Sequence, residues 1–256
     1  MTTGNRLIVQ TGIWSHGNAT ASTVTDSAGN TYTKLTAFKA SDNAEMSVWS
    51  APITAGGGTK PTITVRATGS ADIGATVLEY SGLSTAAGAG VTDQLKTATG
   101  KTTAAANVSS GATAASTAAG ERAMGFYVDS GFSNALLGDP AFTVRTNVSP
   151  TGDMELLAQD RVLTGSAATA NPTTATGANT PWLAATIVFK TAAPPPPAGA
   201  LARSAAATSV PVSADTTPVA AGKLVYAFTA VAPASSPLDA SSLLFCPLKF
   251  GTPGLS

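Results

Sequence analysis

Apolar and polar residues alternate along much of the chain. In "KPTITVRATG" (60–69), Ile63, Val65 and Ala67 alternate with Thr62, Thr64 and Arg66. That period belongs to a strand with one face on a core and the other in water. Two stretches are more continuously apolar, "RLIVQTGIW" (6–14) and "ADIGATVLEY" (71–80). Such runs predict strands covered on both sides, so both are expected at the centre of a sheet. Further strands are predicted at 45–51, 122–129, 141–147, 154–162 and 182–190. Turn signals separate them: "SAGN", "AGGG", "TGSA", "SPTGD". Many short strands with Gly, Asn and Pro between them predict an all-β, antiparallel sandwich. Residues 84–120 are rich in Ala, but interleaved Thr, Ser and Gly oppose a helix. They read as strands and loops with small side chains.

The stretch "DSAGNTYTKL" (26–35) sets turn formers directly before a strand and predicts a hairpin. Asp26 and Asn30 are expected to bond backbone groups within the turn, and Gly29 to supply a positive φ. Asp26, Ser27 and Asn30 as calcium ligands is the competing reading. Calcium needs about six to eight oxygens, and no dense acidic loop accompanies these three.

Residues 191–200, "TAAPPPPAGA", read as a linker, because consecutive prolines hold an extended rod without donating hydrogen bonds. Residues 1–190 are therefore the main β-sandwich domain. Residues 201–256 are a partial second β module or a strand-donating tail. Within the tail, Gly222, Lys223, Leu224 and Val225 echo Gly4, Arg6, Leu7 and Ile8. The echo is preceded by an additional strand candidate, "TSVPVSA" (208–214), for which the N-terminal copy has no counterpart. A sandwich missing a strand leaves an open edge that a strand from elsewhere can fill. Residues 203–215 are the expected donor, within one chain or to a neighbouring subunit in an oligomeric assembly.

Charged residues make up only 11% of the chain, with 14 basic and 14 acidic side chains. No basic face is available to collect phosphates, so nucleic acid is not an expected partner. No window of about 18 apolar residues occurs, so no membrane span is expected. Cys246 is the single cysteine, so there is no internal disulfide. In "LLFCPLKF" it reads as a small buried residue, or as an intermolecular partner if the tail is exposed. The N-terminus carries no basic and apolar leader pattern. A polar, uncharged composition without a leader fits either a trimmed extracellular protein or one that leaves its cell inside a virus particle. The virion surface is the expected location, and a secreted one the alternative.

The segments "VTDSAGNTYTKL", "MSVWSAPITAGG", "TITVRATGSADIGATVLEYSGL", "GFYVDSG", "NVSPTGDMELLAQDRV" and "TGANTPWLAATIVFK" carry a resemblance. Together they resemble a β-sandwich surface module of secreted actinobacterial-type proteins and of phage tail and fibre proteins. The resemblance covers about residues 4–190, and "DSAGNTY" and "EYSGL" are its most specific pieces. It implies a jelly-roll-like or immunoglobulin-like sandwich used for surface display or glycan contact. It brings no catalytic residues.

Candidate chemistry is sparse. His16, the only histidine, lies in a loop after the first predicted strand, and no G-x-S-x-G elbow accompanies it. One His and one Cys cannot make a zinc site. Neither a metal nor another cofactor is expected. Of Glu45, Glu79, Glu121 and Glu155, Glu79 stands out at the end of an apolar strand, but nothing in the sequence pairs it with a second carboxylate as a glycosidase requires. Aromatic residues carry more. Trp14 and Trp49 are the glycan-contact candidates, with core packing as the competing reading for each, as for Trp182. The expected function is non-enzymatic: a virion structural or adhesin protein of a phage tail, fibre or capsid decoration. Its expected partners are other virion or surface proteins and a cell-surface glycan. The alternative is a carbohydrate-binding or adhesion module of a secreted bacterial protein.

Overall fold

The computed structural model describes residues 1–149 and 153–193. The tail, including 203–215 and Cys246, and most of the linker lie outside them. Six strands form a first unit: β1 (Arg6–Trp14), β2 (Ala21–Asp26), β3 (Thr33–Lys39), β4 (Glu45–Pro52), β5 (Ile63–Ala67) and β6 (Asp72–Tyr80). Their antiparallel pairing is nested: β3 with β4, β2 with β5, β1 with β6. This is the wrapping of a jelly roll, giving one sheet of order β3-β4-β1-β6 and a β2-β5 ribbon.

Two further strands, β7 (Thr92–Lys101) and β8 (Ala106–Ser109), lead into a second unit. It contains β9 (Arg122–Asp129), β10 (Leu137–Gly138), β11 (Thr143–Val148), β12 (Glu155–Val162), β13 (Thr173–Thr176) and β14 (Pro181–Phe189). The nesting repeats: β11 with β12, β10 with β13, β9 with β14. The sheets are β11-β12-β9-β14-β7 and β10-β13-β8. The fold is thus all-β and antiparallel, as the sequence predicts, and it contains the same jelly-roll unit twice.

The duplication holds residue by residue. Arg6 opens β1 opposite Pro52 and Tyr80, and Arg122 opens β9 opposite Val162 and Phe189. At the other end, Ile13 faces Glu45 and Asp129 faces Glu155. Even the bulge recurs. The β3/β4 register slips between Lys34 and Thr36, and the β11/β12 register slips between Val144 and Thr146.

The two large sheets pack face to face. Ile8, Met46, Val48 and Leu78 from one meet Met124, Phe126, Val128, Leu156, Leu183, Ile187 and Phe189 from the other in a single core. Each outer face has its own cover. The β2-β5 ribbon lies over Leu7, Val9, Ile13 and Trp49, and β8 with Leu136 lies over Tyr127 and Leu157. Strands β1 and β9 are therefore buried on both faces, which explains their continuous apolar sequence.

Two expectations need correction. The 71–80 segment is an edge strand among the described residues, since β1 is the neighbour of β6 and no other strand is. The "DSAGNTYTKL" stretch is not a hairpin. Strands β2 and β3 belong to different sheets, so the turn is a corner between layers. Its chemistry is the predicted one. Asp26 accepts from the Ala28 and Asn30 amides (2.9 and 3.1 Å), the Asn30 side chain and the Tyr32 hydroxyl, and Gly29 has φ 86°. Those four donors occupy the oxygens that a calcium ion would need. No helix among the described residues is long and apolar enough to cross a membrane.

Candidate surface site at the Trp14 end

Strand β1 ends at Trp14, whose ring is half-buried against the shared core. The Trp14 Nε1–H donates to the Asp42 carbonyl at 2.9 Å, which fixes the plane of the indole. His16 is exposed and packs edge to face on that ring, with centroids 4.7 Å apart. The loop beyond is tight. The Ser15 hydroxyl accepts from the Ala19 amide at 2.8 Å, the Ser15 carbonyl accepts from the Asn18 amide, and Asn18 has φ 62°. Lys39 reaches across from β3 to the Asn18 carbonyl at 2.9 Å.

Asp42 ties this loop to the second unit. One carboxylate oxygen accepts from the Ala44 amide and the other from the Ser130 hydroxyl at the end of β9. The same end thus presents Trp14, His16 and Asn18 from one unit beside the Ser130–Asn134 loop of the other. Phe132 in that loop is 43% exposed, a large apolar side chain left open beside polar neighbours.

The Ser130–Asn134 loop is held from beneath by two buried carboxyl groups. Asp129 and Glu155 face each other across β9/β12, and both are fully buried. Glu155 accepts from the Asn134 and Phe132 amides (2.7 and 3.3 Å), and Asp129 from the Gly131 amide (2.9 Å) and the Tyr127 hydroxyl (2.7 Å). Burial pushes the Glu155 carboxyl up to about 8, and its hydrogen bond to Asp129 and that neighbour's charge add to the rise. Burial and the Asp129 charge also push the Tyr127 phenol upward. A glycosidase pair has to reach solvent and substrate. This pair is spent on backbone amides. Glu45, the counterpart of Glu155, has the same task in the first unit. It is buried, accepts from the Ala21 amide at 3.1 Å, and is raised by that burial.

The sequence candidates separate clearly. Trp14 is only partly buried. Trp49 is buried: it is 7% exposed, lies under the β2-β5 ribbon, donates to the Ser47 hydroxyl at 2.8 Å and has the Lys34 ammonium over its ring at 4.7 Å. The glycan-contact expectation for Trp49 therefore has no open ring face behind it. Trp182 lies flat over Gly100, where a Cβ would stand 2.7 Å from its ring. Glu79 binds the N-terminal segment through the Thr2 amide (2.7 Å) and the Asn5 side chain (2.8 Å). The Asp129–Glu155 pair escaped sequence reasoning, because it depends on strand register and not on proximity in the chain. Among the described residues, no group of three or more His, Cys, Asp or Glu side chains is placed to hold a metal ion.

No family model matches the chain, and neither a curated protein nor a solved structure matches it.

Proposed function

We propose that this chain is a non-enzymatic structural or adhesin protein of a virion, of the tail, fibre or capsid-decoration kind, and that the Trp14 end contacts a host-surface glycan. One observation carries the reading. Six deeply buried ionisable side chains, Arg6, Arg122, Glu45, Asp129, Glu155 and Asp160, are engaged in holding strands and loops, whereas Trp14 is held in plane and only partly buried. A fixed aromatic face ringed by hydroxyl, amide and imidazole groups suits stacking on a sugar ring at low conformational cost. The virion setting rests on the sequence resemblance and on the uncharged polar composition. The same Trp14 surface would serve a carbohydrate-binding module of a secreted bacterial protein, and the two settings share one test.

The test is binding of the purified chain to bacterial cell walls and polysaccharides, with free sugars as competitors. Saturable, competable binding that Trp14→Ala abolishes and Trp49→Phe leaves intact is expected. Binding that survives Trp14→Ala removes the Trp14 end from the account. Absence of binding to every surface overturns the contact role.

A further inference from the structure

The duplication exposes an asymmetry. In the second unit, the outer edge of β14 carries β7 and the outer edge of β13 carries β8. In the first unit the corresponding edges are those of β6 and β5, and among the described residues no strand lies on either. Yet β6 has the continuous apolar sequence of an interior strand. Val65, Ala67, Ile73 and Val77 along these edges are only partly buried, although they pack against the outer core of the first unit. A bare apolar edge is a liability that folded proteins cover.

The missing cover has a counterpart in the sequence. Segment 106–120, "ANVSSGATAASTAAG", contains β8 and runs up to Gly120, two residues before Arg122 opens the second unit. Segment 208–222, "TSVPVSADTTPVAAG", runs in the same way up to Gly222 and the apolar "KLVYAF". Counted back from these glycines, Val210 takes the place of Val108, and Val212 that of Ser110. Val108 is buried opposite Thr174 in β13, whose counterpart on the core-facing side of β5 is Val65. The Ser110 hydroxyl bonds the buried Thr186 hydroxyl at 2.6 Å, and the counterpart of Thr186 in β6 is Val77. The hydroxyl pair of one unit thus becomes a pair of valines in the other. Each match preserves complementarity across the contact.

The course of the chain agrees. After β6, the backbone crosses to the edge of β14 to form β7. After β14, Lys190–Ala192 runs antiparallel beside the start of that crossing. The Ser84 amide donates to the Lys190 carbonyl, and the Ala192 amide to the Gly82 carbonyl, both at 2.8 Å. The described chain therefore ends beside the end of β6. Met1 stands where Thr117 stands in the second unit: its carbonyl accepts from Gly58 much as Ser116 accepts from Ala167.

We propose that residues 208–214 of this same chain pair with the outer edge of β5, with Val210 opposite Val65 and Val212 against Val77, and so complete the first unit as β8 completes the second. The full chain carrying Cys246→Ser, Val65→Cys and Val210→Cys tests this. The Val108→Cys/Thr174→Cys pair in the same background is the positive control, since cross-strand neighbours are within reach of a disulfide. An intrachain cross-link in a monomer is the expected result. Free thiols under conditions that close the control overturn the proposal, and so does a cross-link that joins two chains. Amide exchange in the unsubstituted chain gives a readout independent of the cysteines. The β5 amides that face away from β2 exchange slowly if the segment is seated, and at loop rates if the edge is bare.

Discussion

Arg6 and Arg122 occupy the same position in the two units, and each drives a guanidinium into the rim of the shared core. Arg6 donates to the Ser50 hydroxyl at 2.8 Å and to the Ser84 and Ala86 carbonyls. Arg122 meets Asp160, the counterpart of Ser50, at 2.9 Å, and Arg145 from the β11 bulge reaches the same carboxylate at 3.0 Å. One architectural position is thus solved once with neutral acceptors and once with an ionic triad. Arg122 also lies 5.0 Å from the centre of the Tyr80 ring, which links the second unit to the first.

The two solutions should differ in cost when broken. Asp160→Ala strips the counter-ion from two arginines, one of them almost fully buried, and is expected to cost about 3–5 kcal/mol. Ser50→Ala removes a single hydrogen bond to a charged group and is expected to cost about 1.5–3 kcal/mol. Urea denaturation of both variants checks the order, and equal losses would contradict it.

The buried Glu155 makes stability depend on pH. Its carboxyl is raised from 4.5 to about 8 in the folded chain. The folded state therefore holds a proton that the unfolded state releases. That contribution is fully present below pH 4.5 and is lost as pH rises toward 8. Glu121, raised to about 7 by burial and by its hydrogen bond to Asp93, adds to the same decline. Glu155→Gln should flatten the fall in the urea midpoint across this window and leave the smaller Glu121 contribution. A slope unchanged by Glu155→Gln would remove it as the cause.

Close approach of the two large sheets depends on a pair of glycines. Gly12 and Gly74 face each other across β1/β6. A Cβ at Gly74 would stand 2.4 Å from Leu156 Cδ1 and 2.8 Å from Met154 Cβ. Gly74→Ala is expected to cost about 1–3 kcal/mol as overpacking. Combining it with Leu156→Val should cost less than the sum of the two changes, because the smaller side chain makes room. Simple additivity in denaturation would place the strain elsewhere.

Trp49 and Trp14 should separate stability from contact. Trp49→Ala empties a buried site and is expected to cost about 3–5 kcal/mol. Trp14→Ala should cost less, since that residue is only partly buried. Thermal unfolding of both variants orders them, and the reverse order would contradict the assigned environments.

Much of this fold is legible in the sequence. The 6–14 and 122–129 predictions coincide with β1 and β9, because a strand buried on both faces has an unbroken apolar signature. The 45–51 and 154–162 predictions lie within a residue of β4 and β12. The duplication is not apparent from residue identity. Sequence comparison pairs Gly4 and Arg6 with the tail, although Gly120 and Arg122 are the better match. The signal that carries it is spacing: strands begin at Arg6, Glu45, Ile63 and Asp72, and again at Arg122, Glu155, Thr173 and Pro181. Packing constrains where strands begin more tightly than which apolar residue fills them. Exposure of the tryptophans is illegible for a related reason. Trp14 and Trp49 both sit in apolar strands, and only the β2-β5 ribbon, which comes from elsewhere in the chain, covers one and not the other.

The central claim is that two copies of one jelly roll share a core and stand or fall together. Native-state hydrogen exchange along a denaturant series tests it most directly, by following Leu7–Ile13 in β1 and Ala123–Val128 in β9. A single global opening that exposes both strands at the same free energy is the predicted result. Opening of one strand well below the other would contradict it, because each unit would then hold a core of its own.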